Sequence, residues 1–329
     1  MNVAVIGCGL IGQRRARNLA NSKLVVCCDT DISKAVRTAA DSAAEPVDNW
    51  THAIERDDVD AVVVATPHES LAEISIAAIR AGKDVLVEKP AACSLPEIDT
   101  MIDAAEVGRR IVMVGYNLRY RRSFRQAWSL VSNGNLGRLM FIRARYGHGG
   151  RLGYAQEWRM AAKHGGGQLF DQGSHLIDLC RWFLGDFSDV HARLAKCYWK
   201  AEVEDNAFLS LQTPAKNVAW LHTGSTEWRN IFSFELYGTI GKLEARGLGG
   251  SYGVESLIYN DQRTYGPPPT KIWEYPMEDD SWLMQWKEFE RDVEYRTTPA
   301  WCNLQSARSV LGIIEKAKES NNERLVCDS

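Results

Sequence analysis

Three short stretches of this 329-residue sequence gather residue types with chemistry to offer. The first, Gly7-Cys8-Gly9-Leu10-Ile11-Gly12, has the spacing G-x-G-x-x-G. It follows the apolar run Val3–Ile6 and opens a helix-like stretch, which is the context in which the pattern holds a pyrophosphate. Gly7 permits a tight turn, Gly9 lets the backbone approach the phosphates, and Gly12 lets helix lie close to strand. The unpaired N–H groups and positive dipole end of the helix then face the anion. Asp29 ends the next apolar run, 22 residues after Gly7. A carboxylate there accepts hydrogen bonds from ribose hydroxyls and repels a 2′-phosphate, and Thr30, Asp31 and Ile32 include no arginine to receive one. The expected cofactor is therefore NAD, with NADP disfavoured. A flavin dinucleotide shares the fingerprint, but no second flavin motif is evident.

The second stretch is a pair. Ala65-Thr66-Pro67-His68 and Glu88-Lys89-Pro90 each follow a short apolar run, at the carboxyl ends of strands, where ligands bind in open α/β sheets. A partly desolvated lysine at Lys89 can act as electrophile and proton donor toward an alcohol or carbonyl oxygen. The third runs from Gly165 to Asp178, with three consecutive glycines and then Asp171, His175 and Asp178 at i, i+4 and i+7. On an α-helix these three share one face, while Leu169, Leu176, Ile177 and Leu179 can bury the rest. Ionisable groups on a mostly apolar helix are costly unless paired or functional. A lone histidine there is ordinarily a satisfied core residue. The carboxylates at helical spacing argue for a working one.

The elements that must position these residues differ along the chain. Val3–Ile6, Leu24–Cys28, Ala61–Ala65, Val85–Val87 and Ile111–Val114 are unbroken apolar runs of strand length. Between them lie helix-like stretches over 11–21, 31–41, 68–81 and 94–108. Strands apolar on both faces that alternate with helices predict a doubly wound parallel sheet, a Rossmann unit. Of the 11 Trp, 11 Tyr and 9 Phe, only Trp50 and Tyr116 precede residue 118, so a boundary is placed there: 1–117 for dinucleotide, 118–329 for substrate. In the second part helices are expected over 120–132 and 172–184, then strands over 190–199, 207–212, 218–224, 231–237, 241–246 and 255–259, then helices over 282–295 and 303–318. Strands in close succession predict a large, mostly antiparallel open sheet in an α+β domain.

Composition excludes other classes. Apolar residues are 45% and charged residues 25%, as in ordinary globular domains, and the net charge of −3 offers no general attraction to nucleic acid or anionic membrane. The apolar runs are far below the ~20 residues of a membrane span, and no signal peptide is visible, so a cytoplasmic location is expected. The eight cysteines lack zinc-site spacing and read as small buried hydrophobes, with no metal expected.

The sequence resembles the glucose–fructose oxidoreductase and inositol dehydrogenase family. The resemblance rests on Gly7–Gly12, Ala65-Thr66-Pro67, the run Ala81–Pro90 that ends in Glu-Lys-Pro, Gly115–Tyr120, Trp158-Arg159 and Gly165–Asp178. It implies Lys89, Asp171 and His175 as the catalytic set, and Trp158-Arg159 beside nicotinamide and substrate. It implies a cis peptide before Pro90, and a second-domain sheet that serves as substrate wall and oligomer interface. The candidate cofactor contacts are then Gly7, Gly9, Leu10, Ile11, Gly12, Asp29, Thr66, Pro67, His68, Glu88, Lys89, Trp158 and Arg159. The candidate substrate contacts are Lys89, Asn117, Tyr146, Asp171 and His175. Arg119 and Tyr252 are further aromatic or planar groups that could stack on a sugar. Three positions depart from the family pattern: His68 replaces the usual Asn, Leu71 a frequent His, and Arg121 the usual Pro. The expected activity is NAD-dependent oxidoreduction of a secondary alcohol or ketone in a sugar, aminosugar, nucleotide-sugar or cyclitol. Its rivals are an NAD-dependent glycoside hydrolase using transient sugar oxidation and a non-catalytic dinucleotide sensor. An apolar outer face of the open sheet predicts a homodimer or homotetramer.

Overall fold

The computed structural model describes residues 1–262 and 266–327, with side chains described through Asn321. The chain divides into two compact units, one of Met1–Asn117 with Ser281–Leu311, the other of Leu118–Asp280 with the chain from Gly312 onward. Residues 281–311 thus return to the first unit, which a single cut after residue 117 does not capture.

In the first unit β1 (Asn2–Ile6), α1 (Leu10–Ala16), β2 (Lys23–Cys28), α2 (Ile32–Ala39), β3 (Glu45–Val47), α3 (Trp50–Glu55), β4 (Ala61–Val64), α4 (His68–Arg80), β5 (Asp84–Val87), α5 (Leu95–Gly108) and β6 (Val112–Val114) alternate. The six strands form one parallel sheet in the order β3-β2-β1-β4-β5-β6. The order reverses between β1 and β4, the switch point at which such sheets bind ligands. Ile6 lies level with Cys28 and Val64, so Gly7, Asp29 and Ala65 emerge side by side. Val3–Val5, Val62–Val64 and Val85–Val87 are fully buried, as strands covered on both faces must be. Side-chain caps start two of the helices: Asp31 accepts from the Ser33 N–H, and Asn49 from the Thr51 N–H. Strand β3 is an edge strand of three residues containing Pro46, too short and polar to stand out in the sequence.

The second unit holds α6 (Arg122–Ser132), β7 (Leu139–Gly147), α7 (Ser174–Leu184), β8 (Asp189–Ala195), β9 (Asn206–Gln212), β10 (Val218–Gly224), β11 (Ile231–Gly238), β12 (Gly241–Arg246), β13 (Glu255–Asp261) and β14 (Thr270–Tyr275). Its eight strands order as β14-β13-β12-β11-β7-β10-β9-β8, antiparallel throughout except for the parallel β7–β10 pair. The inner face buries Ile142, Ala144, Leu209, Leu221, Phe234 and Leu243. Phe124 of α6 meets Phe232 and Phe234 edge-on at 5.9 and 5.3 Å, and Trp128 stacks on Trp182 of α7 at 4.4 Å, so both helices cover that face.

The outer face is not the apolar surface expected. Glu235 is paired with Arg143 at 2.8 Å and Lys242 at 2.9 Å, and Glu244 with Lys242 at 3.2 Å. Partial burial raises the Glu235 pKa, but hydrogen bonds from Lys242, Tyr237 and Arg143 outweigh it and hold the carboxyl at about 2. Apolar groups interrupt this ladder, chiefly Trp220, 58% exposed, and Phe208, stacked on His222 at 4.3 Å.

Two helices complete the chain, α8 (Ser281–Tyr295) and α9 (Leu304–Cys327). Within the first unit α8 buries Trp286 and Phe289, and Gln285 Nε2 donates to the Val114 carbonyl at 2.9 Å. These bonds explain why 281–311 belongs there. Among the described residues no helix is long and apolar enough to cross a membrane.

Candidate active site

In the first unit the glycine loop is shaped by contact and by vacancy. Gly7 adopts φ +91°, and a Cβ there would lie 2.5 Å from the Ala65 carbonyl oxygen. A Cβ on Gly12 would lie 1.7 Å from the Gly7 carbonyl oxygen, so neither tolerates a side chain. A Cβ on Gly9 would meet nothing within 4 Å. Gly9 precedes α1, and Leu10 beside it is 68% exposed, with Ile11 half-buried. The Cys8 N–H donates to Asp29 Oδ2 at 2.8 Å, and the Asp31 N–H to Asp29 Oδ1 at 2.9 Å, which fixes the carboxylate at the loop. Thr66 Oγ1, on the neighbouring turn, is buried and finds no hydrogen-bond partner among the described residues. An open cradle, a fixed carboxylate and an orphaned hydroxyl together fit a dinucleotide. Pro67 is exposed, whereas His68 begins α4 with its side chain buried.

Sequence reasoning missed a cation here. Lys34 Nζ lies 3.9 Å from Asp29 Oδ1 and 3.6 Å from Asp31 Oδ2. Inspection of residues 30–32 stops short of it, but one helical turn from the Asp31 cap brings it back to the carboxylate.

Glu88 is a structural residue. Its carboxylate accepts from Arg15 Nε at 2.7 Å, and Arg15 also donates to Gln285 Oε1 at 2.9 Å and lies over the Trp282 ring at 4.5 Å. Even its carbonyl is engaged, by the Ala91 N–H at 3.0 Å. Within the Ala81–Pro90 run, Lys83 Nζ holds the carbonyls of Arg56 and Val59, and Asp84 accepts from the Ile111 N–H. Lys89 follows, half-buried at the carboxyl end of β5, and the Lys89–Pro90 peptide is cis as the resemblance implied. Asn117 is buried and its Nδ2 donates to Ser281 Oγ at 3.1 Å.

In the second unit the three acidic and imidazole groups do not line one face of an α-helix. Leu169–Gly173 is a π-helical turn, and α7 begins only at Ser174. Asp171 lies in the π-turn, where Arg159 Nε sits 3.2 Å from its Oδ2. The Arg159 guanidinium also covers the Trp158 ring at 4.5 Å. His175, one turn later, is buried, with its ring centroid 6.1 Å from that of Tyr146. Asp178 points elsewhere. It takes a two-pronged bond from Arg119, at 2.8 Å to Oδ2 and 2.6 Å to Oδ1, and both side chains are buried. Arg119 is therefore an internal brace, not a sugar-stacking group.

The triple glycine makes room for what supports the turn. A Cβ on Gly166 would meet the Arg159 carbonyl oxygen at 2.5 Å. Gly167, at φ +107°, lies against the Glu204 carboxyl, which accepts from the Leu169 N–H at 3.0 Å and caps the π-turn. Burial pushes the Glu204 pKa up. Next to it Asp205 gathers the N–H groups of Cys197, Tyr198 and Trp199 at 2.8, 2.7 and 2.9 Å. Arg121, where the family pattern has Pro, is buried against Asp279 at 3.0 Å and Glu255 at 3.4 Å.

A second histidine escaped the sequence reading. His148 Nδ1 accepts from the Gly150 N–H at 3.0 Å, so its Nε2, 3.2 Å from Tyr154 Oη, carries the proton of the neutral ring. Gln168 Nε2 donates to the same hydroxyl at 3.0 Å. Burial lowers the His148 pKa, against the pull of Asp171. The only signal for it is its place after Gly147, at a strand end.

Most of the seven cysteines whose side chains are described are buried, and Cys327 lies outside them. Cys8, Cys27, Cys28, Cys180 and Cys302 are buried, Cys93 is half-buried and Cys197 is exposed, contrary to a uniformly buried set. Burial pushes the Cys28 thiol up to about 12.

Comparison with known proteins matches residues 1–116 to an oxidoreductase family described by its NAD-binding Rossmann fold, and residues 124–244 to a GFO/IDH/MocA C-terminal domain. Inositol 2-dehydrogenase 2 of Saccharopolyspora erythraea is 30% identical over 222 residues, 65% of this chain and 63% of its own length, just under two thirds. A solved levoglucosan dehydrogenase in complex with NADH and levoglucosan superposes with a TM-score of 0.89 at 21% identity, covering 98% of this chain and 97% of that one. A 3-ketoreductase from Actinomadura kijaniata, solved with NADP and TDP-benzene, gives 0.82 at 23% identity over 97% of each chain.

Proposed function

The chain belongs to the GFO/IDH/MocA oxidoreductase family, and from that premise we propose that it interconverts a secondary alcohol and a ketone in a sugar, aminosugar, nucleotide-sugar or cyclitol. In this reading Lys89, Asp171 and His175 carry the chemistry. His175 accepts the hydroxyl proton in the oxidative direction and returns it in the reductive one. The Lys89 ammonium stabilises negative charge on the reacting oxygen, and Asp171, held by Arg159, orients this pair or relays protons. Nicotinamide dinucleotide, when bound by Gly7–Gly12, Asp29 and Thr66, supplies the hydride acceptor or donor. The observation that carries the reading is Asp171 in the π-turn with His175 one turn later beside the Tyr146 ring, since a base beside a neutral phenol suits a polyol.

Asp29 favours NAD over NADP. The nearby Lys34 supports a second reading, in which a 2′-phosphate is tolerated. NAD is expected to bind at least tenfold tighter than NADP in calorimetric titration of both, roughly 1.4 kcal/mol. Asp29→Ser should narrow the gap, and equal affinities in the parent protein would favour the second reading. We further propose a cytoplasmic homodimer or homotetramer joined through the outer sheet face, where Trp220 and the Phe208–His222 stack interrupt the ion pairs. Light scattering giving a single 36.9 kDa species at all concentrations would overturn that assembly.

The activity is tested by incubating the protein with NAD or NADP and a panel of myo-inositol, levoglucosan, glucose, N-acetylglucosamine and UDP-glucose, following absorbance of the reduced nicotinamide. Turnover of at least one compound is expected. Bond cleavage of a glycoside with no net reduced cofactor would point to a hydrolase using transient oxidation. Tight dinucleotide binding with no turnover would point to a sensor.

A further inference from the structure

Tyr146 stands on the inner face of β7, in line with the buried Ile142 and Ala144. Its ring meets Phe232 edge-on at 5.3 Å and approaches the His175 ring at 6.1 Å. A third contact comes from a distant place in the chain. Tyr252, on the connection between β12 and β13, sets its ring 5.7 Å from that of Tyr146.

That connection reads Gly247-Leu248-Gly249-Gly250-Ser251-Tyr252-Gly253, and all four of its glycines are left-handed, at φ +67°, +78°, +54° and +83°. The Gly249 N–H donates to the Gly253 carbonyl at 2.9 Å, and Asn230 Nδ2 donates to Ser251 Oγ at 2.6 Å. Ser251 and Gly253 are exposed, yet Tyr252 between them is half-buried. Ordering so many glycines is entropically costly. An apolar side chain in this place would bury as much surface; what the loop adds is a phenol directed toward Tyr146.

The Tyr146 and Tyr252 hydroxyls are hydrogen-bonded to each other, whereas the Tyr154 hydroxyl in the same unit is engaged by two other side chains, Gln168 and His148. Burial, with the Asp171 charge adding to it, raises both Tyr146 and Tyr252, the latter to about 12. Both therefore remain neutral at any working pH, and the bonded pair still has one O–H to donate and lone pairs to accept with. A sugar hydroxyl likewise donates and accepts, so a facing pair of phenols matches it in both senses.

We propose that Tyr252 is a specificity-determining residue, which with Tyr146 forms a two-phenol subsite for the polyol hydroxyl adjacent to the one that reacts at His175. This rests on the oxidoreductase reading above. A substrate lacking that hydroxyl leaves the phenols unmatched, and sites built to bind a hydroxyl reject analogues without it.

The test compares the best substrate of the panel with its monodeoxy analogues, in the parent protein and in Tyr252→Phe, which keeps the ring contact. Removing the phenol should lower kcat/KM for the full polyol about tenfold or more, mainly through KM, since a substrate hydrogen bond is lost while the acid–base groups stay. For one deoxy analogue the same substitution should change kcat/KM by less than about threefold. Tyr146→Phe should repeat this selectivity, and Gly250→Ala, which meets no atom of the chain but strains a φ of +54°, should raise KM for the full polyol by displacing Tyr252. Equal losses on every substrate, or no loss on any, would overturn the subsite while leaving the oxidoreductase in place. A parent protein that turns over no polyol would overturn both.

Discussion

The phosphate loop of the first unit and the π-turn of the second hold their working groups by different means. In the first, the groups that matter are mostly main chain, and they are fixed by neighbours close in sequence or on adjacent strands. Gly7 and Gly12 are packed against backbone, Gly9 faces open space, and the Cys8 N–H is tied to Asp29 only 21 residues away. In the second, side chains from far along the chain do the holding, gripping both side chains and main-chain N–H groups. Asp178 is gripped by Arg119 at a separation of 59 residues, the Leu169 N–H by Glu204 at 35, and the Ser123 N–H by Glu255 at 132. A phosphate cradle needs only backbone shape. A proton-transfer site needs particular atoms aimed at one point, and long-range braces supply the aim.

The difference can be broken most severely at a brace. Arg119→Ala would leave the buried Asp178 carboxylate unpaired and should cost about 3–5 kcal/mol in urea denaturation. A loss below about 1 kcal/mol would mean that α7 is held by packing alone. Next in size come the chemical groups. His175→Ala and Lys89→Met should each lower kcat by roughly two orders of magnitude or more, with Lys89→Met leaving NAD affinity within a few fold. If Lys89→Met lost NAD binding but kept turnover at saturating NAD, the lysine would be a cofactor anchor. Smaller again is the glycine contrast. Gly9→Ala should leave the melting temperature unchanged or slightly raised, while weakening NAD about tenfold, because its vacancy serves only the ligand. Gly12→Ala, with its Cβ driven into the Gly7 carbonyl, should fail to fold.

The mildest effect is of pH. Burial lowers both His148 and His222 from the ordinary 6.5. As pH falls through 6.5 the unfolded chain takes up protons that the folded chain refuses, so stability declines with acidification and levels off below the folded values. His148→Gln should reduce that decline below pH 6.5, measured as the urea midpoint at each pH, with His222 supplying the remainder. An unchanged decline would assign the whole of it to His222 and the carboxylates.

The same contrast explains what was legible in the sequence. The parallel sheet showed itself because Val62–Val64 and Val85–Val87 are apolar on both faces, and the glycine loop because each glycine answers a local demand. Strand β7 was missed, since Arg143 and Arg145 on its outer face break the apolar run, and β14 was missed because an edge strand with Lys271 and Glu274 exposed looks like loop. The return of 281–311 to the first unit depends on Gln285 meeting Arg15 and Val114, contacts that no local pattern announces. Likewise the spacing of Asp171, His175 and Asp178 reads as one helical face. Only the partners Arg159 and Arg119 reveal two directions.

The π-turn has a consequence for edits of chain length. A π-turn is an α-helical turn carrying one surplus residue. Each residue advances an α-helix by roughly 100°. Excising Gln172 would let Leu169–Gly173 relax into the frame of α7, and Asp171 would swing by about that angle relative to His175, away from Arg159. The fold could absorb the deletion and the composition of the motif would be intact. The surplus residue thus acts as a phase shifter, and a deletion scan through 169–173 should read out as abrupt loss of turnover in proteins that still melt cooperatively.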